Sequence, residues 1–372
     1  MDVRHRSPRV LALLGAVTLV VAACSAGPSA NANPWSGAPD AAKAKTEGAT
    51  LVTYGMPDDW ANYGAIIQAF CAKYQIAGCV HQDTDMTSAE EIQRYDAEKN
   101  NAVAIFSDIG LAYGPLASAK GVVPDYLPPN ADQLPANLKA QPGKGGWVAT
   151  FVGVPSILVN LDALKAKNLQ PPADWADLAK PEYKGLVGVR TPGKAGEGDA
   201  FFMALVTSTG GSWGNFDSGI ALAKQIAPNL NGQAGNADLA EKGEIPILVK
   251  YDFNNIAIAK TLQAKGINTE VIIPSSGSIY APSGMMVNGY NTRQTDIAKL
   301  YMDFVLSTDA QTLFAKFGAR PILSVLGKLQ LPADATADWL PDSQYTNVKQ
   351  IDFTQVDPTK IDSIWTDQVT AG

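Results

Sequence analysis

Residues 186–204 carry the spacing most suggestive of ligand chemistry. Gly188-x-x-x-x-Gly193-Lys194 matches a phosphate-binding loop up to its last position, where Ala195 replaces the Ser or Thr that would hold magnesium. Pro192 also removes an amide that a phosphate would need. Residues 186–189 read as a short buried strand, and Asp199 stands where an N-cap would precede an apolar helical run. Strand, glycine loop and helix N-terminus together present backbone N–H groups and a positive dipole end. Three readings stay open here: a nucleotide site, a plain connecting turn, and a ligand-gripping loop at the mouth of a cleft, where open α/β sheets bind.

Other side chains with chemical potential are few. The two histidines are His5, in a basic N-terminal region, and His81. Neither pairs with a nucleophile in a triad spacing, and no His/Cys cluster has zinc spacing. His81, between Cys79 and Asp83, reads as a half-buried strand residue. Cys71 and Cys79 form an even pair, in an exported chain most simply a disulfide closing the 72–78 turn, with two free buried thiols as the alternative. No Asp or Glu spacing identifies the paired acids of a glycosidase.

The N-terminus reads as processed. Arg4, Arg6 and Arg9 precede an uncharged apolar stretch over 10–21, and small residues lead into Cys24. That is the layout of a secretory signal over residues 1–23, too short for a membrane span, ahead of a lipobox-like Cys24 that becomes the acylated first residue. A soluble secreted chain cut nearby is the alternative. Removing residues 1–23 takes away three cationic side chains and one acidic one, so the formal net charge moves from −7 to −9. Such acidity argues against nucleic acid as a partner. Residues 24–48, rich in Ala, Ser, Gly, Pro and Asn over the first part, read as a flexible tether.

The elements that must position a site begin near residue 49. Residues 50–54 read as a strand, 60–74 as a helix with apolar residues at helical spacing, and 79–81 as the start of a second strand. Ser88-Ala-Glu-Glu91 reads as the capping box of the next helix, and 102–106 as a third strand ending at Ser107-Asp108. Strand–helix–strand–helix–strand requires parallel pairing, which gathers the loops at 54–56, 87–88 and 107–108 along one sheet edge. Residues 122–146 read as a long surface connection. Further strands are expected at 155–160, 245–251, 266–274 and 285–287, and helices at 296–305 and, under a second capping box Thr308-x-x-Gln311, through Phe317. The tail beyond Leu331 gives little periodic signal.

Trp175-x-Asp-Leu-x-x-Pro181-Glu-Tyr-Lys-Gly185, Ser307-x-Asp-Ala-Gln311 and Gly318-Ala-Arg-Pro321 resemble bacterial periplasmic solute-binding proteins, in the branch of ferric-iron, polyamine, thiamine, opine and phosphorylated-compound binders. The resemblance covers residues 49–321. It implies an α/β fold of the type II periplasmic-binding-protein kind, each of two lobes a mostly parallel sheet flanked by helices. Lobe 1 would be 49–153 with 281–372 and lobe 2 154–280, joined by hinge strands and burying ligand as they close. It further implies a monomeric receptor with no catalysis, cofactor or metal, lipid-anchored on the outer face of the cytoplasmic membrane. Its partners would be a small-molecule solute and the membrane permease of an ABC importer.

By the same resemblance, ligand contacts would come from Tyr54, Gly55, Met56, Thr87, Ser88, Ser107 and Asp108 in the first lobe. In the second they would come from Thr191, Gly193, Gly196, Tyr251, Asp252 and Asn254, with a cap, turn or buried hydrogen bond as the alternative at each. Ferric binders of the branch show two adjacent tyrosines where this chain reads Tyr251-Asp252, which argues against a hard Fe(III) site. Asp108 and Asp252 would suit a cationic amine, and the 191–196 amides a carboxylate or phosphate; a zwitterion satisfies both. A ligandless structural or adhesive lipoprotein on the same fold and an exported carboxylate-based hydrolase are the competing readings.

Overall fold

The computed structural model describes residues 33–371. The expected signal segment, Cys24 and the first part of the expected tether lie outside the described residues. In chain order the strands are β1 (Thr50–Tyr54), β2 (Val80–Thr84), β3 (Phe106–Gly110), β4 (Trp147–Gly153), β5 (Pro155–Asn160) and β6 (Val187–Val189), then β7 (Ile247–Tyr251), β8 (Thr269–Ile272), β9 (Ser278–Val287), β10 (Arg320–Pro321) and β11 (Val348–Gln350). One sheet has the order β10-β4-β9-β3-β1-β2, with β11 paired to β9, and the other the order β6-β7-β5-β8.

β1 occupies the residues expected, and it pairs in parallel with both β2 and β3. The helices Tyr63–Tyr74 and Ser88–Ala97 make the two crossovers. The sheets are mixed, however, and not mostly parallel. β9 runs antiparallel to β3 and β4, and β5 runs antiparallel to β7 and β8. The chain passes directly from β4 in the first sheet to β5 in the second, and returns from β8 to β9. A strand arriving from the other lobe enters its sheet without a crossover helix, and so need not run parallel to its neighbours.

Both sheets contribute aromatic rings to one continuous core. In the first lobe Phe106 stacks on Tyr301 with ring centroids 4.1 Å apart, and Phe151 and Phe314 pack against Tyr63, while Phe253 from the second lobe packs edge-on against Phe151. In the second the Gly196–Ser208 helix is buried along Phe201, Phe202, Met203 and Leu205, with Trp175 against Phe201. The Cys71–Cys79 disulfide forms, closing the turn between the Tyr63–Tyr74 helix and β2.

Both helix caps sit one residue earlier than the sequence reading placed them, and only the first is a capping box. The N-cap of the Ser88–Ala97 helix is Thr87, and its backbone N–H donates to Glu90 Oε2 at 2.8 Å. The Thr308–Phe317 helix is capped by Ser307. In each case the residue expected to cap turns inward instead: Gln311 donates to Thr150 and Val305 carbonyls and accepts from Leu323 N–H, while Glu91 enters the cleft. The third strand is shifted as well, covering Phe106–Gly110 and not 102–106, so Ser107 and Asp108 lie within it. Residues 122–146 do not merely cross the surface, since Val122, Val123, Tyr126 and Leu134 are buried.

The two ends of the described chain depart most from expectation. Residues 34–48 are not a free tether. Trp35 is buried and its Nε1 donates to Gly289 O, and Lys299 Nζ donates to the carbonyls of Pro34 and Ser36 at 3.0 and 2.9 Å. Glu47 accepts from the N–H groups of Asp296 and Ile297, capping the Thr295–Phe304 helix, which has no side-chain cap of its own. A chain beginning at Ala49 strips that cap and leaves Lys299, 2% exposed, with no carbonyl partners. It is expected to unfold several kcal/mol more easily in a urea titration. Equal midpoints would show that the segment is dispensable. The tail beyond Leu331 also packs, and it returns to the second lobe. Trp365 meets Phe202, Lys360 lies over Phe216, and Lys194 pairs with Asp362 at 2.6 Å.

Candidate ligand-binding cleft

The carboxyl ends of β1, β2 and β3 face the N-terminus of the Gly196–Ser208 helix across a cavity of about 50 Å³. From the first lobe it is lined by Gly55, Pro57, Trp60, Asp85, Met86, Thr87, Ser88, Glu91, Asp108, Gly110 and Ser283, and from the second by Arg190, Ala195, Gly196, Glu197 and Tyr251. A wider cavity of about 740 Å³ shares Pro57, Trp60, Asp85 and Arg190 with it and continues outward past Lys250 and Asn254. The lobes touch where Gly110 and Gly196 meet backbone to backbone: a Cβ on either would stand 2.5 Å from the other's Cα. Arg190 reaches across to Asp85 at 3.2 Å, and Ala89 N–H donates to Lys194 O at 3.3 Å.

Sequence reasoning had named seven of these residues or their vestibule neighbours. Gly55, Thr87, Ser88, Asp108, Gly196 and Tyr251 line the inner cavity, and Asn254 the outer one. Gly55 has a φ of +67°, and a Cβ there would lie 2.1 Å from Glu91 Oε1, so only glycine lets that carboxylate in. Ser88 Oγ accepts from Gly110 N–H. Asp108 accepts from Trp60 Nε1 at 3.1 Å and from Tyr63 OH at 3.0 Å, and burial holds its carboxyl well above the usual range.

Six expected contacts lie elsewhere. Tyr54 donates its hydroxyl to Glu98, Met56 is fully buried with its N–H on Asp83, and Ser107 bonds Tyr95 at 2.6 Å. Asp252 is 1% exposed and faces the hinge, accepting from Val154 N–H and Tyr345 OH with Arg320 beside it. Thr191 opens onto a side cavity of about 340 Å³ with Lys194, Trp365 and Thr370. Gly193 backs onto Asp362, and its N–H donates to Asp199 Oδ1 at 2.5 Å. The glycine loop therefore holds an internal acid where a nucleotide would need its phosphate, and the phosphate-loop reading fails. Asp199 itself lies inside the first turn, with Ala195 at the N-cap.

Asp199 is fully buried, and desolvation lifts its pKa from 3.8 to about 7, opposed by the Gly193 N–H and the Tyr113 hydroxyl. With the folded value above the unfolded one, the stability conferred by the neutral acid is complete below about pH 4. It is lost as pH rises through about 7. Three pKa steps amount to roughly 4 kcal/mol. Asp199→Asn keeps the acceptor for Gly193 and stays neutral, so its unfolding free energy is expected to exceed the native protein's at pH 8 and to match it near pH 4. A constant difference between those pH values would remove Asp199 as the cause.

Several lining residues escaped the sequence reading: Trp60, Asp85, Glu91, Arg190, Glu197 and Ser283. Glu91 was assigned to the cap that Glu90 makes. Glu197 accepts from Tyr251 N–H and lies 3.6 Å from Lys250 Nζ. A hydroxyl–imidazole–carboxylate line does exist at Thr53, His81 and Asp58, with spacings of 2.8 and 2.6 Å. Thr53 is fully buried and donates to Asp83, so this line is a strut beneath residues 54–56. Among the described residues no group of three His, Cys, Asp or Glu side chains could hold a metal ion.

Comparison with known proteins decides the family. The family of bacterial extracellular solute-binding proteins matches residues 112–347, more than half of the chain. The chain belongs to that family. A Haemophilus influenzae protein is 27% identical over 266 residues, 68% of this chain and 70% of its own length. The phosphoglycerate transport regulatory protein of Salmonella typhimurium is 24% identical over 173 residues, 45% of this chain, and the match spans only 40% of that protein. Among solved structures, the periplasmic binding protein AfuA of Actinobacillus pleuropneumoniae, with fructose-6-phosphate bound, superposes with a TM-score of 0.68 at 20% identity, covering 87% of this chain and 99% of that one. This solute-binding protein therefore has the type II periplasmic-binding fold, with its cavity placed between the lobes.

Proposed function

We propose that this protein captures a small polar solute outside the cytoplasmic membrane by closing its lobes, and delivers it to the permease of an ABC importer. The carrying observation is a cavity lined from both lobes, sealed where Gly110 meets Gly196 and reached past the Arg190–Asp85 pair. Two direct crossings of the chain between the sheets provide a hinge about which the lobes can part. It acts as a monomer and catalyses nothing, with Cys24 acylated after removal of residues 1–23. Residues 34–48 belong with lobe 1, and the Pro358–Ile364 helix rides on lobe 2.

Thermal unfolding against a solute panel tests this. A ligand at 100 times its dissociation constant is expected to add about 2.7 kcal/mol, with a smaller radius of gyration in small-angle scattering. Failure of every solute to stabilise or compact the protein would favour the ligandless reading, and turnover of any of them the enzymatic one. Cys24→Ser is expected to move the protein from a detergent phase to water; unchanged partitioning would remove the anchor.

A further inference from the structure

The inner cavity is unbalanced in charge. Four carboxylates, from Asp85, Glu91, Asp108 and Glu197, line it against the single cation Arg190. Arg190 is already engaged, 3.2 Å from Asp85 and 4.0 Å from Glu197. Lys250, 3.6 Å from Glu197, opens to the outer cavity. Glu91 is left over: it is 1% exposed, lines the cavity, and its Oε2 has no hydrogen-bond partner among the described residues. Glu197 Oε2 likewise accepts no hydrogen bond. Asp108 accepts a hydrogen bond on each oxygen, but its side-chain donors Trp60 and Tyr63 are both neutral and bring no counter-charge. A carboxylate buried without donors or a counter-charge is costly, so this wall is complete only when a cationic donor meets it.

We infer that the solute carries a protonated amine, seated in the inner cavity with Glu91 and Asp108 as its counter-charges. This rests on the receptor function proposed above. An ammonium brings three donors and one positive charge, which answers the free Glu91 oxygen and the neutral-bonded Asp108 together. Trp60 and Tyr251 line the same space, so aromatic rings border the seat. A cavity of about 50 Å³ admits a few water-sized groups, the head of a solute and not its whole body. The remainder extends into the outer cavity, where Asn254 Nδ2 is a buried donor with no partner among the described residues. The far end of the solute therefore carries an acceptor such as a carboxylate or carbonyl. An oxyanion as the inner head would meet four acidic side chains and one cation that is already engaged.

The amine leaves a protonic signature. Burial, with Asp108, Asp83 and Asp85 close by and Arg190 opposing, pushes the Glu91 carboxyl well above its usual range. Glu197 adds a further acid facing the same space. A bound ammonium favours the charged form of Glu91, so binding is coupled to proton release.

The experiment is calorimetric titration with diamines, ω-amino acids, amino sugars and fructose 6-phosphate, in buffers of different ionisation enthalpy. An amine is expected to bind with net proton release. Glu91→Gln is expected to weaken it at least 30-fold and abolish the proton release, without lowering the unfolding temperature. A diamine binding better than an ω-amino acid would overturn the acceptor assigned to the far end. Binding of the sugar phosphate alone, unaffected by Glu91→Gln, would overturn the amine and leave the receptor standing. Binding of no solute at all would sink both.

Discussion

Asp252→Ala is expected to lower the unfolding free energy by about 3–5 kcal/mol, the range for breaking a buried ion pair from one side. The carboxylate ties three separated parts of the chain at the hinge. Oδ1 accepts from Val154 N–H at 2.9 Å, between β4 and β5, while Oδ2 accepts from Tyr345 OH at 2.7 Å and lies 4.0 Å from Arg320 Nε. Arg320 is itself sandwiched, its guanidinium 3.9 Å from the Tyr345 ring centre and 4.5 Å from that of Trp339. Removing the acid strands a mostly covered cation and an amide N–H at once. Asp252→Asn keeps an acceptor for Val154 and should cost clearly less. Urea unfolding of the two variants decides the matter: equal, small losses for both would mean that aromatic stacking alone holds Arg320.

Gly196→Ala is expected to weaken solute binding by 10- to 100-fold while leaving the fold intact. The added methyl would stand 2.5 Å from Gly110 Cα, backbone that cannot rotate away, so the lobes must part to admit it. Overpacking of this kind costs about 1–3 kcal/mol, here charged to the closed form alone. With the lobes apart the substitution is harmless or better, because alanine favours the first helical turn over glycine. The unfolding temperature without solute should therefore hold or rise, and small-angle scattering with solute should show a larger radius of gyration than the native protein. Gly110→Ala presses on the same contact from the other side and should behave alike. Native affinity in both variants would mean that the lobes bind solute without meeting at these glycines.

Much of this was legible in the sequence. β1 was found to the residue, its parallel partners followed from the strand–helix alternation, and the cysteine pair closed the turn, as the simpler of its two readings had it. The family was legible too, because Trp175, Gln311 and Arg320 sit in motifs that position core and hinge. Those are local facts: an apolar run or a short loop states its own structure.

The site was not decided locally. Glu90 and Glu91 differ by one place on a helix, and either reads as a capping partner; only the packed helix turns one to the cap and the other into the cavity. Along a strand, consecutive side chains point to opposite faces. Ser107 thus bonds Tyr95 in the core while Asp108 meets the cleft, and at the end of β7 Tyr251 enters the cleft while Asp252 turns to the hinge. The sequence by itself determined most of the elements, the parallel pairing of the first three strands and the lobed family. Which face of each strand looks into the space between the lobes depends on how two distant sheets are set against each other, and contacts such as Gly110 with Gly196 and Arg190 with Asp85 exist only once they are.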